Sequence, residues 1–110
     1  MRNKTKTTWL LAGVLLVWMA GGTSLAAQDS GATYKSKCAM CHGADGKGDT
    51  PMAKRLGVRS FSSPEVQKES DAELIQITTD GKNKMPGYGK SLKETEIKGL
   101  VAYIRELAKK

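Results

Sequence analysis

The chain has 110 residues, 18 Lys and Arg against 11 Asp and Glu, one His and two Cys. That length bounds it to one domain, and the single His rules out any site built on two imidazoles of this chain. The net charge of +7 comes without an aromatic stacking platform, which argues against single-stranded nucleic acid as a partner.

The N-terminus opens with Arg2, Lys4 and Lys6, then an apolar run over 9–20, then Gly21, Gly22, Thr23, Ser24, Leu25, Ala26 and Ala27. A positive n-region, a short h-region and a small-residue cleavage zone are the grammar of a secretory signal peptide. Ser24 and Ala26 satisfy the small-x-small rule, so the expected cut follows Ala26, with Ala27 as second choice. Residues 1–26 are then a signal peptide and 27–110 the exported domain, which points to the periplasm. The alternative is an uncleaved anchor, although the apolar run is short beside the ~20 residues a span needs. Removal takes both Trp residues and three basic charges, leaving 15 basic against 11 acidic side chains, a net of +4. So small a mature chain builds a marginal core and calls for a staple: a disulfide, a metal or a bound cofactor.

A first helix is expected over 31–41, burying Tyr34 and presenting two thiols. Its end reads Cys38-Ala39-Met40-Cys41-His42, the pattern for covalent haem attachment. Two thiols one helical turn apart can each add to a vinyl group of one porphyrin, and the next residue sets an imidazole under the iron. Three rivals are weaker. A thioredoxin-type pair wants a βαβ context, and no parallel-strand pattern is present. Zinc wants four ligands, and the mature chain holds two Cys and one His. A disulfide between positions i and i+3 closes almost no loop and stabilises little.

The stretch 43–64 is rich in Gly, Asp, Ser and Pro and reads as loop. A second helix is expected over 71–79, capped by Ser70 and Glu73, with Leu74, Ile75 and Ile77 as its apolar residues and Gly81 as its stop. Met85 follows in a loop made by Gly81, Pro86, Gly87 and Gly89. The last helix is the clearest. Ile97, Leu100, Val101, Ile104, Leu107 and Ala108 keep helical spacing, with Lys98, Arg105, Glu106 and Lys109 on the other side. Ser91 and Glu94 are spaced as its capping box, and Glu94 and Glu96 suit the positive end of its dipole.

A haem iron has a second axial face. With His42 the only histidine, methionine is the next usual ligand. Met40 is pinned between the cysteines and Met52 follows His42 too soon to cross the ring comfortably. Met85, 43 residues beyond His42 in a glycine- and proline-shaped strap, is the expected ligand, with Met52 or an open site as alternatives.

The block from Cys38 through His42 to Gly48, the strap Met85-Pro86-Gly87-Tyr88-Gly89 and the segment Leu100-Val101-Ala102-Tyr103-Ile104 resemble class I cytochromes c, especially small bacterial monohaem ones. The resemblance implies an all-α fold, cytochrome c-like helices wrapped around one covalently attached haem c. It implies that first and last helices cross near Tyr34 and Tyr103, where the family's usual glycine is replaced by Ser30 with Gly31 beside it. It also implies that Pro51 offers its carbonyl to the His42 ring. A His/Met-ligated iron stays six-coordinate and is suited to carrying single electrons between redox proteins rather than to catalysis. The alternatives are a haem subunit or tethered domain of a larger respiratory complex, and a haem enzyme or sensor. Lys35, Lys37, Lys47, Lys54, Arg55, Lys82, Lys84 and Lys90 flank the two haem motifs, and several of them are expected to ring the haem edge, steering the protein to acidic partners.

Overall fold

The computed structural model describes residues 25–110, with side chains from Ser30 onward. Its elements are six helices: α1 Leu25–Lys37, α2 Ala39–His42, α3 Pro51–Leu56, α4 Pro64–Gln67, α5 Asp71–Asp80 and α6 Glu94–Leu107. Among the described residues the one β-type pairing is an isolated bridge between Lys82 and Met85. The expected all-α class is what the chain adopts. None of these helices is long and apolar enough to cross a membrane. Residues 1–24, which carry most of the expected signal segment, lie outside the described residues.

Helix α6 forms because its apolar residues recur at helical spacing, and they are the ones it buries: Ile97, Leu100, Val101 and Leu107. It packs against both α1 and α5. Its start differs from the expectation. The cap lies two residues later, with Lys93 as the flanking residue whose N–H donates to Glu96 Oε2 at 2.7 Å. Ser91 instead donates its hydroxyl to the Tyr88 carbonyl, so it belongs to the preceding turn.

Helix α1 meets α6 where Gly31 brings its backbone close to Tyr103. A Cβ there would lie 3.5 Å from the Tyr103 ring, and the Tyr34 and Tyr103 rings sit 5.2 Å apart. The crossing is where it was expected, with Gly31 making the approach and Ser30 buried beside it. Tyr34, Phe61, Leu100 and Leu107 form one buried cluster.

Helix α5 follows its local signals closely. The Ser70 side chain accepts from the Glu73 N–H at 3.1 Å, Glu73 Oε2 accepts from the Ser70 N–H at 2.6 Å, and Gly81, at φ 82°, ends it. Arg105 of α6 clamps its start, donating to Asp71 Oδ1 at 3.0 Å and to the Glu69 carbonyl.

Two boundaries are corrected. The first helix does not run to Cys41: it stops at Lys37, Cys38 flanks the break, and α2 is a separate turn. The 43–64 stretch is not all loop either. Thr50 caps α3 by accepting from the Ala53 N–H, Pro51 occupies the first turn where its missing N–H costs nothing, and Gly57 closes it in the left-handed region.

Candidate functional site

The backbone around Cys38 is wound by hydrogen bonds rather than by one continuous helix. The Tyr34 carbonyl accepts from the Cys38 N–H at 2.8 Å, and the Cys38 carbonyl accepts from the N–H groups of Cys41 and His42 at 3.2 and 2.9 Å. Gly43 takes φ 85° and ends the turn, and the buried Tyr34 hydroxyl donates to its carbonyl at 2.6 Å. The Thr50 hydroxyl donates to the Met40 carbonyl, tying α3 to the same turn. Cys38 and Cys41 are free thiols, not joined to each other. Among the described residues no three His, Cys, Asp or Glu side chains converge as a metal-chelating cluster.

His42 is packed by an aromatic neighbour. Its ring stacks on Phe61 with centroids 4.8 Å apart and planes 21° apart. Burial pushes the imidazole pKa down, favouring the neutral form that a metal ligand requires. The buried Nδ1 has no hydrogen-bond partner, which corrects the expected bond to the Pro51 carbonyl. Pro51 is the first residue of α3.

Met85 is carried on a strap built from the end of α5. Lys82 and Met85 exchange both backbone hydrogen bonds, at 3.0 and 2.9 Å, around Asn83 at φ 54°. The strap then lies back on α5: Tyr88 N–H donates to the Thr78 carbonyl at 2.9 Å and Gly89 N–H to the Thr79 carbonyl at 3.0 Å. Contact there is so close that a Cβ at Gly87 would fall 2.7 Å from the Thr79 carbonyl oxygen.

These pieces enclose one cavity of about 470 Å³, within the range of cofactor pockets. Cys38, Cys41, His42 and Met85 all line it, among largely apolar walls that include Val58, Leu74, Ile77, Leu100, Val101 and Ile104. Of the eight basic residues that flank the haem motifs, Lys37, Lys82 and Lys84 line this cavity, and Arg59, which was not among them, joins them. Lys35, Lys47, Lys54, Arg55 and Lys90 do not line it. Met40 stands out to solvent, 75% exposed. A second hollow of about 590 Å³ beside α5, bounded by Lys68, Glu69, Glu73 and Asp80, contains none of the four candidate residues.

The donor set fits a covalently held haem. Two unlinked thiols, an imidazole and a thioether open onto the same largely apolar space, and the orphaned Nδ1 belongs to the residue that would bind iron. Phe61 was not singled out by sequence; its only signal was being the sole Phe, set in a Ser- and Pro-rich segment.

Helices packed around such a cavity define a c-type cytochrome domain. The chain belongs to that family: cytochrome c oxidase, cbb3-type, subunit III, matches residues 25–104. It is similar to cytochrome c6 of a Synechococcus species, with 28% identity covering 96% of this chain and 85% of that protein. It is also similar to cbb3-type cytochrome c oxidase subunit FixP of Azorhizobium caulinodans, at 32% identity over 80% of this chain and 29% of that one. Subunit CcoP of Azospirillum brasilense matches at 32% identity over 77% of this chain and 30% of its own length. The chain thus spans under a third of those two oxidase subunits. Among solved structures, the c-type cytochrome KustC0563 superposes with a TM-score of 0.65 at 32% identity, covering 71% of this chain and 95% of that one. The protein is a small class I c-type cytochrome, an electron carrier whose cofactor is covalently attached haem c.

Proposed function

We propose that this protein is a periplasmic one-electron shuttle in which Cys38 and Cys41 make the two thioether bonds to haem c and His42 and Met85 supply the axial ligands. The observation that carries this is the meeting of all four side chains on the wall of a single apolar cavity. Bound there, the haem supplies an Fe(III)/Fe(II) couple that accepts and releases single electrons.

The chain's own residues do the rest. Cys38 and Cys41 would hold the haem by adding across its vinyl groups, each thiol hydrogen passing to the neighbouring carbon, so attachment would need only the reduced thiols. The half-buried His42 ring stacks on Phe61, which favours one ring orientation. The strap that carries Met85 is attached to α5 by backbone hydrogen bonds from Tyr88 and Gly89. Apolar walls exclude water, which penalises the more positive oxidised state and raises the potential. With a methionine in the sixth position and no second histidine in the chain, nothing is poised for acid–base chemistry on a bound substrate, so the protein acts as a carrier and not as an enzyme.

Residues 1–26 serve as the export signal in this reading. Partners are redox proteins that dock transiently against the cavity mouth near Lys37, Lys82 and Lys84. A second reading, a haem subunit or tethered domain of a respiratory complex, draws support from the similarity to FixP and CcoP. Mass measurement of the native protein separates the two: a free species lacking 1–26 supports the shuttle, and a full-length chain recovered with membrane partners supports the subunit. Met85→Ala tests the ligand set, with haem retained, potential lowered and carbon monoxide binding gained; an unchanged spectrum would remove Met85 from the site.

A further inference from the structure

Tyr88 is the node at which the strap touches three other parts of the chain. Its N–H donates to the Thr78 carbonyl of α5, and its carbonyl accepts from the Leu92 N–H, on the lead-in to α6, at 2.9 Å. Its side chain lines the same cavity as Met85. The hydroxyl donates to the Lys37 carbonyl at 3.1 Å, a contact between residues 51 apart in sequence. Lys37 is the last residue of α1 and directly precedes Cys38. Burial pushes the phenol pKa up, which keeps the hydroxyl a donor.

We propose that Tyr88 is a positioning residue: its hydroxyl latches the Met85 strap to the end of α1, so that the segment carrying the first thiol and the segment carrying the distal ligand are closed on each other. The proposal rests on the reading of Met85 as axial ligand and adds to it what keeps that ligand on the iron. The backbone bonds to Thr78 and Thr79 fix the strap to α5 alone, and a strap attached only there is free to swing from α1. The Tyr88–Lys37 bond joins the strap to α1 through a side chain, and releasing Met85 by that motion breaks it.

The effect is local. Its loss favours the open strap by the net value of one partly exposed hydrogen bond, about fivefold in the opening equilibrium. The aromatic ring stays as a wall of the cavity in Tyr88→Phe, so packing is retained.

The experiment compares the oxidised holoprotein, Tyr88→Phe and Met85→Ala by imidazole titration and by the long-wavelength absorption of methionine bound to ferric haem. The wild type shows the band and binds imidazole weakly, and Met85→Ala lacks the band and binds it tightly. Tyr88→Phe keeps the band and binds imidazole about fivefold more tightly than wild type. Imidazole affinity identical to wild type in Tyr88→Phe, with the band present in both, overturns the latch while leaving Met85 as ligand. A wild type without the band overturns the ligand reading itself. If Tyr88→Phe is too unstable to purify, Tyr88→Leu, which also removes the donor to the Lys37 carbonyl, is expected to bind imidazole more tightly than wild type, and wild-type affinity there also overturns the latch.

Discussion

The Tyr34 hydroxyl donates to the Gly43 carbonyl at 2.6 Å, spanning the nine-residue interval that holds both cysteines and His42. The bond is buried at both ends, and Tyr34 has no exposed surface. It therefore closes the attachment segment on itself before any cofactor contributes.

Tyr34→Phe keeps the ring and strands the Gly43 carbonyl. The expected cost is about 1–3 kcal/mol, read from the denaturant midpoint of the holoprotein; a change of only a few tenths would mean water replaces the hydroxyl freely.

The same residue gives a pH prediction. Burial is the main cause that raises the Tyr34 phenol above its ordinary value, about 10. A raised folded pKa means the folded state holds its proton more tightly, so its stabilising contribution is complete below the ordinary value and is lost as pH rises beyond it. Wild-type stability should fall in that alkaline range more steeply than that of Tyr34→Phe. Parallel curves would contradict the assignment.

Two glycines separate steric need from backbone need. Gly87→Ala drives a Cβ to 2.7 Å from the Thr79 carbonyl oxygen, so the strap must lift from α5, and the Met85 absorption band should weaken. Gly57 has φ 69° and nothing within 4 Å of a Cβ, so Gly57→Ala should cost about 1 kcal/mol of stability with the band unchanged. Equal spectra for the two variants would count against a strap clamped by close backbone contact.

Much of this arrangement is local in the sequence, and that part was legible. The stripe from Ile97 to Leu107 and the Ser70–Glu73 box depend only on neighbours within a few turns, and both appear as read. The attachment motif is five residues long and declares its chemistry by spacing. Helix α3 was missed because six residues are too few to show periodicity, although Thr50, Pro51 and Gly57 mark its ends. The contact of Phe61 with His42 joins residues 19 apart in sequence, so it comes from packing that no local pattern shows. The Nδ1 of His42 has no hydrogen-bond partner, where analogy suggested the Pro51 carbonyl.

Electron transfer with an acidic partner should depend on salt. Lys37, Lys82, Lys84 and Arg59 sit at the cavity wall, and their field accelerates encounter over about 10 Å at moderate ionic strength. Lys84→Glu should slow second-order transfer at low salt and have little effect at high salt. Equal rates for variant and wild type at low salt would place docking on another face.

The most direct test of the account is the optical spectrum of the purified protein, oxidised and reduced, before and after acidic organic extraction. The account predicts haem that stays with the polypeptide, a six-coordinate low-spin spectrum in both states, and a methionine band that Met85→Ala abolishes. Haem that extracts from the chain, or a high-spin reduced form that binds carbon monoxide at once, would contradict it.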